Sequence, residues 1–568
     1  MGAITQFSIN DTSVALNADG TFLHLVSPDF GMNLIIARLK DAGGYETQSV
    51  QSFFYSPVWN PRDPHDPDIS TLNEALYFWL GRQALDDGDH DFSHINDLAT
   101  VAELLVASTE IGPTTNPEEP VNSFDAPGLG TFYVHLTDVR LGTPTVTLTP
   151  QTGGLRLNLS YTSLEADLEF RQPGPTVGSE TVYPAMASAS PLLIEADIGI
   201  STSEEGGVEV TASEAHVTLE NFGVALNLDN DSLEEAINTV LDIGIIKLIF
   251  VDQIETAFEE QLSSVLEELV AGSLNSTAFE FEGEFPPLMG NTEPTTLRLK
   301  SSPTSAGFTA LGGTLGFAAS SLSDRAIYYP TFGSISTQGC LKESSSLLWF
   351  DPSYSIAVAI SDDFINQMIF SAWWGGALQF PIPQTEDGVG QLARLGITDM
   401  EIEVDLLHAP VLSSCNPDGA LRIQIGDMKT RLILEIAEVE EVGLNVFTSL
   451  EADVNYRIIE TEEGPVISLE FTTMRKIETE VVLDDPGLTK HRAALQEFIE
   501  GFFIDALIEN LTSDNVIGFP IPEIDLSTVE GIPPGHTLNL DVSRIERLAH
   551  YTVILGDPAE DPAPSDSP

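Results

Sequence analysis

Alternation of apolar and polar residues runs through both halves of this 568-residue chain and limits the possible folds more than any other feature. Residues 155–161 and 191–201 in the first half, and 420–428 and 449–459 in the second, place an apolar side chain at every other position. This period is typical of half-buried β-strands. A chain so rich in such strands must cover the apolar faces of its sheets with other elements.

Two stretches have helical spacing instead, and each closes a series of strands. Residues 232–272 and 488–511 carry an apolar residue at every third or fourth position, which predicts two long amphipathic helices. A Pro-flanked segment follows each of them, at 279–288 and 518–526. Because strands, helix and Pro-flanked exit occur twice in the same order, we interpret the chain as a tandem duplication of one module.

A third, shorter helix is predicted at 361–374. Ser361 is suited to cap its start, and Gly375 and Gly376 to end it. Large apolar side chains cover much of its circumference, Phe364 and Met368 among them. Such a helix must be buried on several sides, or must contact an apolar ligand on one of them.

Residues 355–380, SIAVAISDDFINQMIFSAWWGGALQF, resemble the start of the C-terminal half of the bactericidal/permeability-increasing protein and lipopolysaccharide-binding protein family. In that family a strand enters a helix through S-D-x-F-x-N, and the matching positions here are Ser361, Asp362, Phe364 and Asn366. The segment GFPIPEIDL and the closing strands extend the resemblance over residues 355–557, whereas residues 100–288 resemble the family only in layout.

The resemblance implies a tubular lipid-binding fold. Its class is α+β, with two tandem barrel-like modules, each a curled antiparallel sheet wrapped on a long amphipathic helix, joined by a central sheet. It also implies secretion, hence an extracytoplasmic location with the leader absent from this chain. The expected segments are an N-terminal helical or irregular segment (1–110), the first module (111–288), a crossover region (289–358), the second module (359–557) and a disordered tail (558–568).

The function expected from these features is non-enzymatic binding or transfer of a lipid or another long apolar molecule, in grooves beside the helices. Each buried methylene group would contribute about 0.8 kcal/mol. The alternative is the same fold with filled cores, serving as a surface scaffold or protein-interaction module. The predicted lipid-contacting residues are Ile254, Phe258, Leu262, Phe364, Met368, Phe498 and Phe502.

Charge restricts the partners. With 87 acidic and 23 basic residues the formal net charge is −64, so the surface repels phosphates and nucleic acid is not an expected partner. Anionic membranes are disfavoured for the same reason, which leaves transient membrane contact. The sequence does not define an oligomeric state.

The sequence lacks the common catalytic motifs and has one weak metal-binding pattern. No G-x-S-x-G elbow, P-loop or dinucleotide fingerprint occurs, so no enzyme is predicted and no cofactor beyond a bound lipid. Asp87, Asp89 and Asp91 begin like a calcium loop, but Phe92 and Leu98 stand where Gly and Glu are required, which argues against calcium. Cys340 and Cys415 fit either a disulfide or two buried thiols.

Overall fold

A computed structural model describes most of the chain. The described residues are 4–44, 46–61, 69–92, 95–108, 118–126, 130–174, 179–203, 206–213, 215–226, 243–258, 267, 270–272, 274–275, 277–278, 280–285, 294–324, 332–337, 340, 350–378, 380–381, 397–416, 418–436, 439–461, 464–483, 519–520, 524–525, 537–548 and 550–559.

Strands make up most of the described residues. They are β1 (Ile4–Ile9), β2 (Thr12–Ser13), β3 (Gly31–Asp41), β4 (Glu46–Tyr55), β5 (Trp59–Asn60), β6 (Leu72–Gly81), β7 (Asn122–Ala126), β8 (Gly130–Leu141), β9 (Pro144–Gln151), β10 (Gly154–Tyr161), β11 (Leu164–Pro173), β12 (Glu180–Ala189), β13 (Leu192–Thr202), β14 (Val208–Ala212), β15 (His216–Leu219), β16 (Gly223–Leu226), β17 (Glu280–Phe285), β18 (Thr295–Thr309), β19 (Gly312–Ser323), β20 (Ser334–Ile335), β21 (Ile356–Ser361), β22 (Phe380–Pro381), β23 (Ile397–Leu406), β24 (Val411–Ser413), β25 (Arg422–Ile436), β26 (Val439–Thr461), β27 (Gly464–Leu483), β28 (Phe519–Pro520), β29 (Ile524–Asp525), β30 (Thr537–Leu548) and β31 (Tyr551–Ala559). The helices within the described residues are α1 (Arg82–Leu85), α2 (Leu98–Ser108), α3 (Ile243–Ala257) and α4 (Asp362–Gly375).

These strands form six antiparallel sheets. An N-terminal sheet has the order β2-β1-β3-β4, and a two-stranded ribbon pairs β20 with β5. Two five-stranded sheets follow, β14-β13-β10-β9 with β15 on β13, and β16-β12-β11-β8-β7. An eight-stranded sheet, β17-β18-β19-β6-β21-β31-β30-β29, combines strands from both halves of the chain, and a seven-stranded sheet has the order β22-β23-β25-β26-β27-β28 with β24 on β25.

The expected fold class is wrong. Sheets dominate and are mostly flat with one half-barrel, and the described helices are short, the longest being α3 with 15 residues. The apolar residues of the sheets are buried by several elements together: Phe132 and Leu168 from one five-stranded sheet share a hydrophobic cluster with Leu157 and Ile194 from the other, and Phe250 and Ile254 of α3 belong to the same cluster. A helix of 15 residues thus takes part in burying those faces, alongside side chains from other strands. The helix predicted at 488–511 lies outside the described residues.

The segment expected to be helical or irregular, 1–110, contains six strands, β1 to β6. Strand β6 is inserted between β19 and β21 of the eight-stranded sheet, so both of its edges are paired. Its sequence, LNEALYFWLG, is largely apolar because most of the strand is buried. The periodicity of a short apolar run does not distinguish a helix from a strand that is buried on both faces.

Acidic side chains close the edges of several sheets, a use that composition alone does not reveal. On edge strand β9 the backbone N–H groups of Val146 and Leu148 donate to Glu103 Oε2 and Asp86 Oδ2, both at 3.0 Å. The Val50 N–H on edge strand β4 donates to Glu480 Oε2 at 2.7 Å. Unpaired edge groups otherwise invite pairing with another chain. Part of the acidic excess therefore completes hydrogen bonding at sheet edges.

Removing one of these acceptors should destabilise the fold. Glu103 and Val146 are both buried, so Glu103→Ala leaves the Val146 N–H without its acceptor, and we expect the free energy of unfolding to fall by about 1–3 kcal/mol. Glu103→Gln keeps an acceptor oxygen and should lose less. Urea denaturation of both variants measures the difference. Equal losses would show that the edge hydrogen bond is not the cause.

Candidate functional site: an apolar pocket beside helix α4

Helix α4 begins and ends as its sequence predicts. The Ser361 hydroxyl accepts the Phe364 N–H at 3.2 Å, and Gly376 ends the helix in the left-handed conformation with a φ of 87°. Every residue of the helix is buried. The broad apolar surface of this segment is therefore explained mainly by packing on all sides.

Polar side chains on α4 bind the surrounding elements to it. Asp362 forms a two-pronged ion pair with Arg547 on β30, with both nitrogen–oxygen distances 2.7 Å. Asp363 accepts the backbone N–H of Thr337 at 2.6 Å, and Asn366 exchanges two hydrogen bonds with the backbone of Leu412 at 2.7 and 2.8 Å. The helix thus joins strands that are distant in sequence. Burial raises the pKa of the Asp362 carboxyl, and the ion pair with Arg547 opposes that rise.

A pocket of about 420 Å³ lies against one side of this helix. Its walls come from four places: the end of β4 with the loop that follows it, the β5–β20 ribbon, α4, and the connection into β24. The described residues that line it are Phe53, Phe54, Tyr55, Ser56, Trp59, Phe332, Gly333, Ser334, Ile335, Asn366, Phe370, Trp373, His408, Ala409, Pro410 and Val411. Its volume falls within the range usual for small-molecule sites.

Aromatic rings dominate these walls. Trp59 and Phe332 lie with ring centroids 6.1 Å apart, and Phe370 and Trp373 with centroids 5.5 Å apart. Phe332 is 80% exposed, so a large apolar side chain stands in water beside the pocket. Ser334 Oγ is buried and has no hydrogen-bond partner among the described residues.

Covalent and hydrogen bonds fix the walls. Cys340, which follows the β20 wall, is bonded to Cys415, which follows the β24 wall, with Cα atoms 5.8 Å apart. The Trp373 indole N–H donates to the Leu406 carbonyl at 2.6 Å. Walls held in this way do not have to be ordered when a ligand enters, which lowers the entropic cost of binding.

One histidine, His408, lies among the described residues that line the pocket. Its Nε2 lies 3.8 Å from Asp427 Oδ2, behind the wall. Burial acts to raise the pKa of Asp427, but the nearby His408 side chain and the hydrogen bond from the Ser52 N–H hold it below its usual value. Asp427 is therefore a fixed negative charge next to this wall.

The predicted lipid-contacting residues that the structure describes lie away from that pocket. Ile254, Phe258, Phe364 and Met368 are buried in the main hydrophobic cluster and do not line it. Leu262, Phe498 and Phe502 lie outside the described residues. Sequence analysis missed Trp59 and Phe332, which lie beside Pro61 and Gly333. Large aromatic residues next to turn-forming residues are the only signal that could have suggested them.

The acidic run 87–91 forms successive turns. The Asp89 N–H donates to Asp87 Oδ1 at 2.9 Å, and the Asp91 N–H donates to Asp89 Oδ1 at 3.0 Å. Among the described residues no group of three or more His, Cys, Asp or Glu side chains is arranged to hold a metal ion. The run therefore has a structural explanation in its own hydrogen bonds.

Asp97, next to this run, should make stability depend on pH. It caps α2 by accepting the Thr100 N–H at 2.6 Å, and burial raises its pKa to about 6. The folded state then holds the proton more tightly than the unfolded chain does, so this carboxyl's contribution is complete below about pH 4 and is lost as the pH rises through about 6. We expect the melting temperature of Asp97→Asn, relative to wild type, to increase between these limits. A constant difference would contradict this assignment.

A second cleft, of about 390 Å³, lies between the N-terminal sheet and β27. Two basic residues of β3 line it, and each is already paired: Arg38 with Asp11 and Lys40 with Glu46. Because acidic partners compensate both cations, this cleft does not favour an anionic ligand.

Comparisons with known proteins give no family assignment. No protein-family model and no curated protein matches the sequence. Solved structures also align with this chain, and three of them cover 86% of it. Lipopolysaccharide binding protein is 14% identical with a TM-score of 0.42, and all of that chain is covered. P47 of Clostridium botulinum E1 is 10% identical with a TM-score of 0.28 over its full length, and P47 from Clostridium botulinum A2 is 9% identical with a TM-score of 0.26 over 98% of its length.

Within the described residues, none of the helices combines the length and the apolar character needed to cross a bilayer.

Proposed function

We propose that this protein binds a lipid chain or another apolar small molecule, without catalysis, in the pocket beside α4. The observation that carries the proposal is the pocket itself: about 420 Å³, with aromatic rings on several walls and an exposed Phe332 at its side. Apolar concave sites with a few polar groups are the usual form of small-molecule binding sites.

Burial of an alkyl chain in the pocket would supply the free energy of binding. Each methylene group removed from water contributes about 0.8 kcal/mol, so a short alkyl chain can supply the several kcal/mol that measurable affinity needs. Helix α4 provides two of the walls' rings, Phe370 and Trp373, and its core-facing side holds Phe364 and Met368. The same helix therefore anchors the fold and shapes the site.

An extracytoplasmic location is part of this proposal. The Cys340–Cys415 disulfide supports it, because such bonds persist mainly in oxidising compartments.

Removing one pocket aromatic should reduce binding without unfolding the protein. Phe332 is 80% exposed, so Phe332→Ala should cost little stability, yet we expect it to weaken binding of the neutral probe N-phenylnaphthylamine at least about threefold. Probe fluorescence measures this directly.

The matched control is Phe92→Ala, since Phe92 is 46% exposed and does not line the pocket. That variant should bind as wild type does. Ala409→Phe, which places a ring in the cavity, should abolish binding. Failure of the wild-type protein to bind this probe, together with the absence of co-purified apolar molecules in native mass spectrometry, would reject the proposal and favour a filled scaffold.

A further inference from the structure

We infer that the pocket beside α4 prefers an apolar cation, such as an alkylammonium, to a neutral or anionic molecule with the same tail. This inference rests on the proposed function and adds the charge of the ligand. Three observations carry it: the kind of rings in the walls, the charges that the walls lack, and the charges that surround them.

The first observation is the number of aromatic residues around the pocket. Seven of the described residues that line the pocket are aromatic: Phe53, Phe54, Tyr55, Trp59, Phe332, Phe370 and Trp373. The face of an aromatic ring attracts a cation through its quadrupole, most strongly for Trp, and several such rings around one site form the usual receptor for quaternary ammonium groups. An alkyl chain alone needs apolar walls, which Leu, Ile or Val would supply equally well.

The charges of the walls point the same way. Although the chain has 87 acidic and 23 basic residues, the lining residues described include no Asp, Glu, Lys or Arg. Within the described part of the walls there is thus neither a Lys nor an Arg to pair with a carboxylate or phosphate. The Asp427 carboxylate lies 3.8 Å behind the His408 Nε2, and its sign favours a cation.

The field of the whole molecule adds to this preference. A formal net charge of −64 surrounds the site with negative potential, which raises the local concentration of cations and lowers that of anions. This contribution weakens as salt is added, whereas attraction to the ring faces inside the pocket persists. Affinity for a cation should thus fall only partly at high salt.

The test uses three molecules with the same tail: octyltrimethylammonium, octanol and octanoate, each below its micellar concentration. Isothermal titration calorimetry on the full chain should give one site per chain. Octyltrimethylammonium should bind at least about tenfold more tightly than octanoate, with octanol between them.

Trp59→Leu separates ring attraction from simple apolar contact. We expect it to weaken octyltrimethylammonium binding several-fold more than octanol binding, because leucine keeps an apolar wall but removes the ring face. Octanol binding by this variant shows that the pocket is still formed.

The outcomes are distinct. Equal affinities for all three molecules, or tightest binding of octanoate, would overturn the inference while leaving the proposed function standing. Many weak cation sites unaffected by Trp59→Leu would indicate surface adsorption and would also overturn it. If none of the three molecules binds, the inference and the proposed function both fail.

Discussion

Replacing Arg547 with methionine is expected to lower the free energy of unfolding by about 3–5 kcal/mol, because it leaves a buried carboxylate without its partner. Asp362 is fully buried, and both of its oxygens accept hydrogen bonds from Arg547 at 2.7 Å. In the variant the carboxyl must stay ionised without a counter-ion or take up a proton at neutral pH. Urea denaturation measures the loss.

Two further variants make this prediction specific. The double substitution Asp362→Leu with Arg547→Met removes both charges and should recover part of the loss. Arg298→Met instead breaks a solvent-exposed ion pair. The side chains of Arg298 and Glu282 are 61% and 58% exposed, and their nitrogen and oxygen atoms lie 3.2 Å apart. Its loss should lower the free energy of unfolding by less than about 1 kcal/mol. Similar losses for Arg547→Met and Arg298→Met would contradict a structural role for the buried pair.

Phe364→Ala should be equally damaging, at about 3–5 kcal/mol of unfolding free energy. Phe364 is 2% exposed and lies in the main hydrophobic cluster, so its loss creates a cavity inside the protein. Because Phe364 does not line the pocket, the folded variant should still bind N-phenylnaphthylamine. Parallel denaturation and fluorescence titrations test both parts.

This variant also distinguishes the two roles that the sequence allowed for Phe364. If it is core, stability falls and binding survives. A small loss of stability with loss of binding would instead make Phe364 a ligand-contacting residue, and the pocket would have to extend past α4 into what the structure presents as core. Phe332→Ala is the reciprocal variant, with little loss of stability and weaker binding.

Sequence reasoning succeeded where the controlling interactions are local. Ser361 and Gly376 define the ends of α4, because a hydroxyl that caps and a glycine that adopts positive φ act on their immediate neighbours. The alternating segment 155–161 is a strand for a similar reason. Such signals need no knowledge of the rest of the chain.

It failed where distant segments meet. The long-helix prediction used only the spacing of apolar residues within 232–272 and 488–511, whereas the hydrophobic cluster that α3 joins is built from both five-stranded sheets. The candidate pocket depends on the pairing of Trp59 with Ile335, which are far apart in sequence. Likewise, the sequence around Glu480 gives no sign that its side chain accepts a hydrogen bond from the Val50 N–H of β4.

The central claim is that the pocket beside α4 is the binding site for an apolar ligand, and photo-crosslinking tests it most directly. A neutral alkyl alcohol carrying a diazirine would be bound, irradiated and mapped by peptide mass spectrometry. The account predicts saturable labelling of peptides that contain residues 53–59, 332–335, 366–373 and 408–411. Saturable labelling confined to helix α3, or to the exposed apolar residues Leu23 and Leu25, would contradict it.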